Sequence, residues 1–227
     1  MRYQYLLIDN DNTIMDFNAA EAKALIDVLK NYGLPTDEGT VHTYHEINDA
    51  QWKALERGET TQAKLKVERF RLLLEVMGKT DISAENMAAE YALGLGSHAD
   101  LLPGAEKFMH AVYGKMKIAL VSNGVSAIQR GRLAKCPLTP LFDAIVISEE
   151  VGAAKPDPKL LYVAMDMLGC TDKAQAVMMG DSATADIPAA VNAGVDSIFF
   201  SPNGKTSEVP TYTVRTHAEA LTILLEE

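Results

Sequence analysis

Five short apolar runs punctuate the chain, at Tyr3 to Ile8, Met116 to Val121, Ala144 to Ile147, Ala176 to Met179 and Ser197 to Phe200, each ending where small or polar residues begin. Unbroken runs lack the alternation of a half-exposed strand, so they predict strands covered on both faces, as in a parallel sheet. The last four are separated by segments able to hold a helix. That β-then-α rhythm predicts a doubly wound α/β fold, with ligands bound outside the carboxyl ends of the strands. Between the first two runs the rhythm breaks and helical spacing takes over. Asn18 is placed to cap a helix carrying Ala22, Leu25, Ile26 and Leu29 at i, i+3, i+4 and i+7, stopped by Gly33 with Pro35 beyond. A second stripe runs Ala63, Val67, Phe70 and Leu74; a third, Met87, Tyr91 and Leu95, ends at Gly94 and Gly96. The expected organisation is a Rossmann-like core from residues 1–15 and 98–227, interrupted by an all-helical cap at 16–97 above the first strand end.

With 227 residues, 48% hydrophobic and 23% charged, the chain has ordinary globular composition and enough length for a sizeable core. Its net charge of −10 opposes binding to duplex nucleic acid or an anionic bilayer, yet leaves room for a small anionic substrate where a metal or lysine reverses the local sign. Two cysteines, Cys136 and Cys170, are too few for a disulfide framework, and both are expected to be reduced. No apolar stretch is long enough to span a membrane, and Met1 to Gln4 runs into the first strand without a signal-peptide layout, so a cytoplasmic location is expected.

Polar residues collect at the strand ends. Asp9 and Asp11 stand at i and i+2 after the first run, which puts both carboxylates on one side of extended backbone, although Asp and Asn also favour turns. Ser122, Asn123 and Gly124 follow the second run and can donate to a phosphoryl oxygen, or form an ordinary turn. Lys155 follows the third, in a loop stiffened by Pro156 and Pro158, where a solvated lysine is equally ordinary. After the fourth, Asp181 is a hard-oxygen ligand for Mg²⁺, whereas Asp186 can instead cap the next helix, with Pro188 in its first turn and Gly194 at its end. Four successive α/β units thus end in the residue types that phosphoryl transfer to a carboxylate requires.

Taken together, Asp9-Asn10-Asp11-Asn12-Thr13, Ser122, Lys155 and Gly180-Asp181 with Asp186 resemble the motifs of the haloacid dehalogenase superfamily, and the second aspartate places the chain with its phosphatases. The resemblance implies that Asp9 attacks phosphorus to give an aspartyl-phosphate and that Asp11 is the general acid and base. It implies Mg²⁺ held by Asp9, Asp181 and the Asp11 backbone carbonyl, with Asp186 as a further metal-site residue. Phosphate would be bound by Ser122, Lys155 and the backbone near Asn123.

A finer resemblance, to the pyrimidine 5′-nucleotidase branch, rests on Asp16 to Glu21, Trp52 to Gly58, Arg69-Phe70, Ser122 to Gly124, Gly180 to Ile187 and Pro210 to Tyr212. Asn10 and Asn12 replace the more usual hydrophobic and Asp or Gly neighbours. The branch implies a helical cap that selects the group carrying the phosphate, favouring a nucleoside monophosphate over phosphoglycolate or a sugar phosphate. Trp52 or Tyr44 can stack on a base and Asn48 or Arg69 can bind its polar edges, although a lone tryptophan on a helix is more often core and an arginine on a charge-rich helix more often solvated. A receiver-like phosphoacceptor switch is the alternative from another class, but it needs neither the helical insertion nor the carboxylate at i+2. The five histidines show no metal-ligand spacing.

Overall fold

The computed structural model describes residues 2–79 and 81–225; the outermost bounds of the expected core, residues 1, 226 and 227, lie outside the described residues. Strands form at β1 (Tyr5–Ile8), β2 (Lys117–Ser122), β3 (Ala144–Ile147), β4 (Ala176–Gly180), β5 (Asp196–Phe200) and β6 (Tyr212–Val214). All pair in parallel, in the order β3-β2-β1-β4-β5-β6. The expected doubly wound α/β sheet is therefore present, extended by β6 at its edge. Alternate side chains go to opposite faces: Leu6 and Ile8 join one apolar cluster, Leu7 the other. Helices α5 (Ala105–Val112) and α10 (His217–Leu225) cover the first face, α8 (Lys159–Leu168) and α9 (Asp186–Ala193) the second. Beyond the strand ends lie α6 (Ser126–Lys135) and the short α7 (Ser148–Val151). After β3 the chain crosses to the far side of β1. Asp9 and Asp181, which follow the neighbouring strands β1 and β4, thus stand at the switch point where such sheets bind ligands.

Four helices separate β1 from α5: α1 (Phe17–Asn31), α2 (Glu38–Glu56), α3 (Gln62–Val76) and α4 (Ala84–Leu95). They share an apolar cluster of their own, to which α6 adds Ile128, and the preceding turn Val125. Sequence periodicity found three of the four: the Met87, Tyr91 and Leu95 stripe of α4 is buried as expected, while the faces of α1 and α3 are shifted. Asp16, not Asn18, caps α1 by accepting from the Ala19 amide, and its inner face is Ala20, Ala24, Leu25, Val28 and Leu29, leaving Ala22 exposed. On α3 the buried stripe is Leu65, Arg69, Phe70, Leu73 and Leu74 while Ala63 is exposed. Helix α2 buries little besides Tyr44 and Asn48, so its apolar pattern is too sparse to mark it out.

The turn after β1 is tight: the Asn10 carbonyl accepts from the amides of Ile14 and Met15, both at 2.9 Å. Asn12 sits there at φ 56°, a conformation Asn tolerates better than most side chains. His217, buried on α10, faces the carbonyls of Thr13 (2.8 Å) and Pro103 (3.1 Å) and braces this turn. Cys136 and Cys170 are free thiols. No helix of the described residues is long and apolar enough to cross a membrane.

Candidate active site

Strand ends β1, β2 and β4 and the loop after α7 converge on one buried ion cluster. Lys155, 1% exposed, directs its ammonium to Asp9 Oδ1 (2.6 Å), Asp186 Oδ1 (2.7 Å) and the Val121 carbonyl (2.7 Å). It is a fully desolvated cation, so the solvated alternative for this loop lysine does not hold. Asn123 fixes that loop by exchanging hydrogen bonds with the Lys155 backbone, its side chain donating to the carbonyl (2.8 Å) and accepting from the amide (2.7 Å). Ser122 is buried, with its Oγ accepting from the Gly124 amide at 3.0 Å.

Asp186 does not cap α9. It is that helix's first residue, and its Oδ2 accepts instead from the Ser182 amide at 2.9 Å. A Cβ on Gly180 would lie 2.2 Å from Asp186 Oδ2, so the glycine before Asp181 is what lets Asp186 approach the cluster.

Asp9, Asp181 and Asp186 each offer an oxygen, all within 4.8 Å of one another. Three carboxylates against one ammonium is an excess of negative charge with hard-oxygen donors, which suits Mg²⁺. Titration of the cluster reflects that excess. Burial pushes the Asp9 carboxyl well above its ordinary range, opposed by Lys155 and reinforced by Asp186, Asp181 and Asp11. Burial, then Asp186, pushes Asp181 up to about 7. Burial disfavours the Lys155 charge, but Asp186 and Asp9 outweigh it and raise that pKa.

The Asp11 side chain does not join the three-carboxylate group. It pairs with Arg132 and accepts from Gln129 Nε2 at 2.7 Å, while Gln129 Oε1 accepts from Asn10 Nδ2 at 2.6 Å. Sequence reasoning missed Gln129 and Arg132. Two polar residues three apart on α6, which opens at Ser126, are no signal by themselves, because the same spacing fits a solvated helix face. Asn10 likewise uses its side chain and not the backbone alone.

Above the cluster lies a cavity of about 220 Å³, on the scale of a small metabolite rather than a polymer, reaching from Asp9, Ser122 and Lys155 to Asn48, Trp52 and Arg69. Trp52 is partly buried and lines it. Arg69 is buried, contrary to the solvated reading, and donates to Asn48 Oδ1 (3.0 Å) with its guanidinium 4.6 Å from the Tyr91 ring centre. Asn48 in turn donates to the buried Glu21 (2.9 Å), which also receives the Tyr91 hydroxyl (3.2 Å) and raises the pKa of His45. Arg69 Nε is buried without a hydrogen-bond partner among the described residues. Tyr44, offered by sequence as a stacking platform, is instead wholly buried against Phe70 and Tyr91.

Comparison with known proteins agrees with this arrangement. The family model described as haloacid dehalogenase-like hydrolase matches residues 6–200. The pyrimidine 5′-nucleotidase PynA of Streptococcus pneumoniae is 33% identical over 99% of this chain and 96% of its own length. The pyrimidine 5′-nucleotidase YjjG of Escherichia coli is 28% identical over 94% of each. The crystal structure of the Bacillus subtilis HAD-hydrolase YfnB, bound to magnesium and described as revealing interdomain movement, superposes with a TM-score of 0.93 at 32% identity, covering 99% of both chains.

Proposed function

Because this chain belongs to the haloacid dehalogenase-like hydrolase family, we propose that it is a Mg²⁺-dependent phosphomonoesterase that works through an aspartyl-phosphate on Asp9 and acts on nucleoside 5′-monophosphates, pyrimidine ones foremost. The observation that carries the reading is the buried Asp9–Lys155–Asp186 cluster at the floor of a metabolite-sized cavity. We assign residues 1–15 and 98–227 to the catalytic core and 16–97 to a cap over it, with the separate apolar cluster of α1–α4 in support.

Asp9 attacks phosphorus as the bond to the leaving oxygen breaks, and Asp11 gives that oxygen its proton, so the alcohol departs neutral. Asp11, now a carboxylate, takes a proton from water as the water oxygen bonds to phosphorus and the acyl-phosphate bond breaks, which releases phosphate and restores both residues. Lys155, Ser122 and backbone amides beside Asn123 face the phosphoryl oxygens, whose charge they balance. Asp9, Asp181 and Asp186, with the Asp11 carbonyl, would hold Mg²⁺. When bound, it offsets the repulsion between an anionic nucleophile and an anionic phosphate. In the cap, Trp52, Asn48 and Arg69 contact the group esterified to the phosphate. The pyrimidine preference draws its support from PynA and YjjG.

Phosphate release with Mg²⁺ or EDTA, across nucleoside monophosphates, sugar phosphates and phosphoglycolate, tests this. Metal-dependent release strongest for UMP, dUMP or dTMP is expected. Preference for a sugar phosphate or phosphoglycolate would refute the substrate class while leaving the chemistry.

The same carboxylates make stability depend on pH. The folded state holds the Asp181 proton more tightly than the unfolded chain does, so this group's contribution to stability is present below the unfolded pKa of about 4 and lost as pH rises through about 7. Metal-free protein should lose thermal stability over that window. Mg²⁺ and the proton compete for the same oxygens, so the rise in unfolding temperature with Mg²⁺ should be several-fold larger at about pH 8 than at about pH 5.5. Equal shifts at the two pH values would contradict the assignment.

A further inference from the structure

Both oxygens of the Asp11 carboxylate are engaged by α6, through Arg132 and Gln129. Arg132 is fully buried, an expensive place for a cation unless it is paired. Its remaining contacts lie at the two points where the chain passes between core and cap. Arg132 Nε donates to the His98 carbonyl at 2.9 Å, and its guanidinium lies 5.6 Å from the ring centre of Phe17, the first residue of α1. Close approach of the backbones secures this arrangement: a Cβ on Gly131 would lie 2.9 Å from the Gly96 carbonyl oxygen. On the other side Gln129 rests on Gly124, where a Cβ would fall 2.3 Å from Gln129 Nε2. Its amide is held from behind by Asn10.

We propose that Arg132 and Gln129 are positioning residues for Asp11, fixing its carboxyl group toward the leaving oxygen and referencing that orientation to both crossings between core and cap. The inference rests on the phosphomonoesterase reading. As the proton passes from Asp11 to the leaving oxygen, a carboxylate charge develops, and a buried guanidinium already in place meets it without reorganisation. Gln129 holds the second oxygen and prevents rotation about the Asp11 side chain.

Leaving-group chemistry separates this role from a merely structural one. A nucleoside departs as a poor leaving group that needs its proton, whereas p-nitrophenolate leaves without one. Since kcat/KM reports steps up to formation of the acyl-phosphate, Arg132→Met should lower kcat/KM for UMP by about 100-fold and for p-nitrophenyl phosphate by less than about 5-fold, within the usual range of general-acid effects. Gln129→Met, which disturbs packing less, should show the same asymmetry at about 10-fold on UMP. Arg132→Lys, which keeps the charge but not the fork, should recover part of the loss. Equal losses on the two esters in Gln129→Met, with wild type active on both, would overturn the positioning role and leave the phosphatase reading standing. A wild type inert on both esters would overturn that reading and this inference together.

Discussion

Asp9→Asn is expected to reduce turnover by at least about 10³-fold while the protein stays folded. An amide of the same shape cannot form the acyl-phosphate, so the loss should appear in kcat and not be rescued by more metal or substrate. The fold should tolerate the change because Asp9 is one carboxylate too many for a single lysine: burial already disfavours its charge, and Asp186 still pairs with Lys155. Metal-free Asp9→Asn should therefore unfold within about 5 °C of wild type. Steady-state kinetics and thermal unfolding on one preparation check both halves; near-normal turnover would remove Asp9 from the mechanism.

Lys155→Met is expected to combine both penalties. Loss of the cation facing the phosphoryl oxygens should lower kcat/KM by about 10²–10³-fold. Without it, Asp9 and Asp186 face each other in a buried site with no countercharge, which should cost about 3–5 kcal/mol in EDTA. Saturating Mg²⁺ should return much of that stability but little of the rate, because a metal among Asp9, Asp181 and Asp186 neutralises the carboxylates without replacing Lys155. Chemical denaturation with and without metal measures the first effect, kinetics the second. A twofold rate loss with unchanged stability would restore Lys155 to the status of an ordinary loop residue.

These two variants differ because the sequence shows residue types at strand ends, while burial and partners exist only in the fold. The first five strands were legible, since runs such as Ala176 to Met179 are buried on both sides of the sheet and need no other signal. Strand β6 was not: Tyr212 to Val214 is a three-residue edge strand with one fully buried side chain. Helix α2 was illegible for a related reason, because its inner face carries Asn48 toward a polar network rather than an apolar stripe. Position along the chain placed Asp9, Ser122, Lys155 and Asp181 together, each at a strand end or in a loop at the same edge of the sheet. The surroundings of Asp11 could not be foretold. Gln129 and Arg132 reach it from a helix more than a hundred residues away in sequence, and amphipathic spacing says nothing about a buried cation. The same holds for Arg69, whose place on a charge-rich helix suggested solvent but whose guanidinium lies against Tyr91.

The most direct measurement is a rapid acid quench of the enzyme mixed with Mg²⁺ and a nucleoside 5′-monophosphate labelled on phosphorus, followed by mapping of the labelled peptide. Protein-bound label is expected on Asp9, lost in alkali, absent from Asp9→Asn and dependent on metal. Turnover with no protein-bound label at any quench time, or label on a residue other than Asp9, would contradict the mechanism.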